Sequence, residues 1–439
     1  MRIKKSILIA LLLQPLLLYA DQDLVLEKGR EEIINFVDIH KSEIQYSLVE
    51  MEKKNLGSAK LDLSPWVGYY WPLNRGLISY RWANNNIPRT ESWEFYRDMV
   101  VNDSATTYIS KGEINLLSPS EKYDLLLGDT NLTLTKKMWD WGKTELETFK
   151  KINTWAGLHP GLALATVNMP EPKSPVKIWS MSKKHLITFY PEDIKALGAI
   201  MWNLASDNAR TIGERCLEAT PAKEESGRMV APACQDIDPG LFHLAIVNQL
   251  GVAKKPLFMD GSFDEPVWNY PIISYSYKFF NPNKPNETTT FQDAAIKPYK
   301  YEKDPFSAYR NSNPEYIVGV RMEVTTVPYA VPWSTANAVK EKPILYRYDL
   351  ELDSNYNIIS GEWYTQGRPD FIWEPAKDFE PKTSVEEFMD EKWAPDKEYI
   401  PSTWPSYSKD ASKMGAVLSP VVKNLFWLSA NGLNGYNVE

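Results

Sequence analysis

The order in which two hydrophobic periodicities occur along the 439 residues predicts an α+β fold. Through the first half, apolar residues recur at helical spacing. From Phe242 on they alternate, or run continuously in short segments bounded by turn residues. Helices first and antiparallel strands second point to α+β rather than to alternating βαβ units. A composition that is 43 % hydrophobic, with 16 Trp and 24 Tyr, supplies a sizeable core divided over two or three lobes.

Each element has a local signal. Arg2, Lys4 and Lys5 precede an apolar stretch from Ile7 to Tyr19, and Ala20 stands before Asp21. Residues 1–20 therefore read as a secretory signal peptide, with a retained N-terminal anchor as the competing reading. The run is shorter than the ~20 apolar residues of a membrane span, so no stable insertion is expected once the leader is gone. Its removal takes away three basic residues and moves the formal charge from −8 to −11. An acidic surface in a secreted or periplasmic protein argues against nucleic acid as a partner. Ile33, Val37, Ile44, Leu48 and Met51 predict one long amphipathic helix at the start of a mainly helical region, residues 21–150. Pro65 to Pro72, with Trp66, Tyr69, Tyr70 and Trp71, holds too much Pro and Gly to be regular. Ser118-Pro119-Ser120-Glu121 combines an N-cap, a Pro in the first turn and a capping-box acid. Helices are also predicted over Thr133 to Thr154, from Pro160 to Val167 with His159 at the N-terminus, and over Ile194 to Ala205.

Residues 151–375 are expected to form the core, and 376–439 a C-terminal extension. Leu241–Leu250 and Pro256–Phe263, either side of Gly251, predict a β-hairpin that sets His243 across from Asp260. Directly opposed residues have Cβ atoms about 4.5–5.5 Å apart, close enough for a carboxylate to orient an imidazole. Strands follow over Trp268 to Phe280, Tyr316 to Tyr329, Ile344 to Leu352 and Ile358 to Tyr364. Asn281 to Asp304 reads as a polar loop or boundary, Glu374 to Ser408 as a linker or wrapped extension, and Val417 to Leu428 as a last apolar element. The two cysteines, Cys216 and Cys234, are expected to form one disulfide in an oxidising compartment. In the chain-entropy model a loop of this length is worth about 3 kcal/mol.

Common catalytic signatures are missing: no HExxH, no paired CxxC, no glycine-rich phosphate loop and no GxSxG elbow. No cofactor or resident metal is expected. A lone His in a strand is more often packed than catalytic; an Asp facing it shifts the balance toward function. The aromatic stretches Trp66–Trp71 and Trp363–Trp373 would either line a cleft or pack in the core.

Trp66-Val-Gly-Tyr-Tyr-Trp-Pro72, Ser118 to Asp129, the Cys216/Cys234 pair, Asp238-Pro-Gly-Leu-Phe-His243, Val267-Trp-Asn-Tyr-Pro-Ile272 and Pro369-Asp-Phe-Ile-Trp373 together resemble the transglutaminase elicitor family, secreted papain-like transglutaminases of oomycetes and bacteria. The resemblance implies a papain-like core, with His243 as general base, Asp260 as its orienting acid, and Trp155, Trp268 and Asn269 as substrate contacts. The family's nucleophile lies in a W-x-G-x-C-x-G-W pattern. Trp155, Gly157 and Gly161 match it, but His159 holds the cysteine position and Leu162 that of the second Trp. A thiolate at a helix N-terminus is stabilised by the helix dipole and attacks a glutamine carboxamide. An imidazole there gives a short-lived acyl intermediate, and the dipole opposes its protonation. The leading expectation is a transglutaminase-fold protein with impaired or lost Cys-dependent acyl transfer. It would keep a cleft for proteins or peptides bearing Gln or Lys, or for cell-envelope proteins. Alternatives are an acyltransferase, amidase or protease with a replaced nucleophile, a metal site made of His159, His243 and Asp260, or a structural envelope protein.

Overall fold

Two bodies of buried side chains organise the molecule, one among helices and one on a sheet, and a single helix passes between them. The computed structural model describes residues 27–438 apart from 219, 225–227, 232–233, 235–236, 263–265, 311–313, 334–339 and 365–366. The leader assigned to residues 1–20 lies outside the described residues.

The N-terminal segment makes two short helices, α1 (27–36) and α2 (Leu48–Lys53), where one long helix is expected from its spacing. The break has a local cause. His40 and Glu43 close a capping box around a 3-10 turn, and Asp38 is drawn off to Arg210, Lys255 and Gln249. Helices α3 (Trp93–Asn102), α4 (Ala105–Ser110), α5 (Pro119–Leu126) and α6 (Thr133–Phe149) follow. The Ser118 side chain accepts from the Glu121 N–H, and Glu121 answers to the Ser118 N–H, as the capping-box sequence predicts. α6 ends five residues short of Thr154 because Lys150 turns left-handed at φ 61°. Next come α7 (His159–Asn168) and α8 (Pro191–Asn203), separated by a small hairpin of β2 (Val176–Trp179) and β3 (Leu186–Phe189). Buried ion pairs, Arg81 with Glu121 and Lys122 with Asp193, lock α5 against this helical body.

The expected hairpin over 241–263 is replaced by a helix and one strand. Pro239–Ile246 is α9, capped by the Asp238 carboxylate on the Leu241 N–H at 2.9 Å, and it continues as a π-helical turn over Val247–Val252. An apolar run of ten residues suits a helix buried on all sides as well as a strand, and Asp238-Pro239 decides it. Only β5 (Leu257–Asp260) is extended, and it pairs with β6 (Asn269–Phe280) and β11 (Phe371–Glu374).

β6 is the spine of an antiparallel sheet. One of its edges carries β8 (Tyr316–Thr326), then β9 (Lys342–Leu352) and β10 (Ile358–Trp363). The other edge is tiled in succession by β5, β1 (Ser58–Lys60) and β7 (Thr288–Thr289); β11 and β4 (Arg210–Gly213) extend the sheet beyond β5. α1, α2, α9 and the short α10 (Phe291–Ala294) bury their apolar faces on it. Between Asn281 and Asp304 the chain packs on the sheet through Phe291 and Ala294. The C-terminal stretch wraps back: Trp393, Ile400, α11 (Trp404–Lys413) and α12 (Ser419–Asn431) bury side chains beside α8 in the helical core. Among the described residues no helix is long and apolar enough to cross a membrane.

A candidate site at the N-terminus of the central helix

α7 is apolar around its circumference because it has neighbours on every side. Leu162 and Ala165 face the helical core; Ala163 and Leu164 meet Phe258 and Trp373 from the sheet. Two glycines permit this lodging. A Cβ on Gly161 would stand 2.0 Å from the Ala199 carbonyl oxygen of α8, and one on Gly157 would meet the Tyr70 and Trp71 carbonyls at 2.7 and 2.9 Å. The Leu158 N–H donates to the Tyr70 carbonyl, and Leu73 to that of Ala156, tying the irregular aromatic segment to the start of α7. Half-buried Tyr70 thereby reaches Trp268, ring centroids 5.3 Å apart.

His159 opens the helix with 5 % of its surface exposed. Its Nδ1 lies 2.7 Å from Nδ2 of Asn269, and the Trp373 indole N–H donates to the other end of that amide, Oδ1. An indole can only donate, so the carbonyl end of Asn269 faces Trp373 and the amide NH₂ faces His159. Nδ1 is therefore an acceptor, and the proton of the neutral ring sits on Nε2. Burial, aided by the positive charge of Arg215, pushes the His159 pKa down to about 3. The ring stays neutral over the physiological range.

Asp260 and Asn269 are Cα partners at the ends of β5 and β6, so their side chains leave the same face of the sheet. Asp260 Oδ1 accepts from the Trp268 N–H at 2.7 Å and from the Ser262 hydroxyl at 2.9 Å. Oδ2 is buried with no hydrogen-bond partner, and burial raises the Asp260 pKa to about 6 against those bonds. Tyr329 donates its hydroxyl proton to the main-chain carbonyl of Asn269 and stacks on Tyr270. The Arg215 guanidinium lies 4.9 Å from the Trp155 ring.

Of the residues that the sequence picks out, His159, Trp268, Asn269 and Asp260 come together here. His243 does not. It sits on α9 with no exposed surface, its Nδ1 2.8 Å from the Tyr348 hydroxyl, its ring 4.7 Å from that of Tyr277, and its Nε2 buried without a partner. No hydrogen bond joins it to Asp260, because the hairpin that would oppose them is absent. The metal reading fails for the same reason: among the described residues no group of three His, Cys, Asp or Glu could hold an ion. Cys216 and Cys234 are joined in a buried disulfide, and the chain has no free thiol. Arg215 carries no motif and escapes sequence reading, and Tyr329 is read only as the end of a strand; Tyr70 and Trp373 are signalled through the aromatic stretches and the motifs that carry the family resemblance.

A family model described as Transglutaminase elicitor matches residues 38–389. Among solved structures, the crystal structure of the GP42 transglutaminase from Phytophthora sojae is similar at a TM-score of 0.52 and 18 % sequence identity, over 89 % of this chain and 94 % of that one. At that identity the likeness speaks for the fold. No curated protein matches the chain.

Proposed function

Because the chain belongs to the transglutaminase elicitor family, we propose that it is an exported transglutaminase-fold protein that has lost Cys-dependent acyl transfer and keeps the family's cleft for polypeptides. The observation that carries this reading is the fate of sulfur: only two cysteines exist, and both are consumed in one bond. Protein-glutamine γ-glutamyl transfer needs a thiolate to attack the carboxamide carbon, release ammonia and hold the acyl group as a thioester until an amine arrives. At the helix N-terminus that would activate such a thiolate stands His159.

That imidazole is a poor replacement. Its Nδ1 lone pair is engaged by Asn269 and its Nε2 carries the proton, so attack on a carbonyl requires a base that would first deprotonate Nε2. Asp260, across the sheet from Asn269, is half-protonated near pH 6 and already accepts from Trp268 and Ser262. The half-buried Tyr70, Trp268 and Tyr329 around His159 make a surface suited to polypeptide side chains, and it supports a retained cleft. The disulfide supports an oxidising destination such as the periplasm or the medium.

Incorporation of a labelled primary amine into a glutamine-rich protein tests the reading on wild type and His159→Ala. No incorporation by either protein is expected. Transfer by the wild type that disappears in His159→Ala would sink it and make His159 a working nucleophile.

A further inference from the structure

From the aromatic surface beside His159 a chain of ring contacts, passing through the buried Tyr69, leads to two guanidiniums that form no ion pair among the described residues. Trp268 lies 6.3 Å from His159, Tyr70 lies 5.3 Å from Trp268, Tyr69 lies 5.2 Å from Tyr70, and Trp333 lies 5.5 Å from Tyr69, ring centroid to centroid. Tyr70, Trp268 and Trp333 are half-buried, so each offers an edge or face to solvent. Over Trp333 sit two guanidiniums, Arg89 at 4.1 Å and Arg75 at 5.5 Å from its centroid.

Neither arginine forms an ion pair among the described residues. Arg75 Nη1 is buried without a hydrogen-bond partner, and Arg75 also lies over the Tyr80 ring. Glu91, whose charge reaches Tyr70, pairs with neither. Arg75 is half-buried with its charge unpaired, in a chain where 57 acids outnumber 49 bases. Two like charges held together on one indole, in a protein of the opposite net sign, leave a local positive site that an anionic group would complete. Arg215, whose charge acts on both His159 and Asp260, adds to the positive potential around the site.

We propose that the surface from His159 to Arg75 and Arg89 binds an acidic stretch of a polypeptide, with a carboxylate seated on the two guanidiniums and the preceding residues lying across Trp268 and Tyr70. Guanidinium forks match carboxylates in pairs of parallel hydrogen bonds, and aromatic faces accept peptide side chains without a fixed sequence. An extended chain advances about 3.3 Å per residue, so the acid lies within about eight residues of the one over His159. This inference rests on the retained cleft argued above and names its partner.

Three fluorescein-labelled peptides of about 19 residues, each with a central Gln and flanked along its whole length on both sides by Glu, Ser or Lys so that it spans the distance to Arg75 and Arg89, provide the probe, read by anisotropy on the full chain. The Glu peptide is expected to bind at least about tenfold tighter than the Ser peptide at about 50 mM salt, with the gap narrowing at about 500 mM. Arg75→Glu/Arg89→Glu should reverse the order, Arg89→Ala alone should shrink it, and Trp268→Ala should weaken all three peptides. Glu and Ser peptides bound equally by the wild type, or an order unchanged in the double variant, would overturn the acidic assignment and leave the cleft standing. Tighter retention of polygalacturonate than of the Glu peptide would overturn the polypeptide assignment. Failure of all three peptides to bind would remove the cleft itself.

Discussion

His159 and His243 are both buried and neutral, and they differ in what their rings touch. His159 is tied to the sheet by Asn269 and lies beside the Trp268 ring; His243 faces two tyrosines inside the sheet core. The sequence reading makes His243 the general base and His159 only the occupant of the nucleophile's place, in a chain with four His. A histidine's chemistry depends on neighbours more than 100 positions away, as Tyr348 is from His243 and Asn269 from His159. Spacing cannot report them. His243→Ala should therefore act on stability alone, lowering it by about 2–4 kcal/mol through the cavity and the stranded Tyr348 hydroxyl. Urea denaturation measures the loss, and peptide binding at the His159 surface should be unchanged. Weakened binding in a folded His243→Ala protein would bring that residue back into the site.

At the scale of elements, the signals that proved legible were caps. Ser118-Pro119 opens α5 where its capping box predicts, and Pro160 opens α7 with His159 in the first turn. Asp238-Pro239 uses the same code for α9, yet the continuous apolar run behind it reads equally as a buried strand. Weighing the cap above the run would have given the helix and removed the opposition of His243 to Asp260. The strands from Asn269 onward were legible because alternation and turn residues agree, the Asp353 carboxylate fixing the turn by accepting from the Asn355 and Asn357 N–H groups. Hidden from alternation was the burial of Asp349 and Glu351, which share the face of β9 opposite Tyr348 and Leu350 and which Arg310 makes possible. α7 meets α8 closely at Gly161, where a Cβ would stand 2.0 Å from the Ala199 carbonyl oxygen. Gly161→Ala should push these helices apart and destabilise the fold by roughly 3 kcal/mol or more, beyond any gain in helix propensity. Chemical denaturation checks this, and the His159 surface should lose peptide binding in parallel, because α7 carries it.

The molecule as a whole buries more acids than it can pair. Three carboxylates, Asp304, Asp349 and Glu351, share the guanidinium of Arg310; Glu351, with Oε2 unpartnered, is pushed by burial up to about 8. Burial likewise lifts Asp124 and Glu362 to about 7. An acid whose folded pKa is raised favours the folded state when protonated and loses that contribution as pH climbs from its unfolded value to its folded one. His159 and His243, depressed to about 3, work in the other direction, but only below their unfolded value of 6.5. Between pH 6.5 and 8 only the acids act, so the melting temperature should fall across that window, and fall less in Glu351→Gln. A melting temperature that rises there would show these acids to be ionised throughout. The disulfide has a practical corollary for whoever goes looking for such proteins. Surveys that find thiol hydrolases and transferases by tagging their reactive sulfur with an electrophile would pass over this one, and it would have to be recognised by its shape.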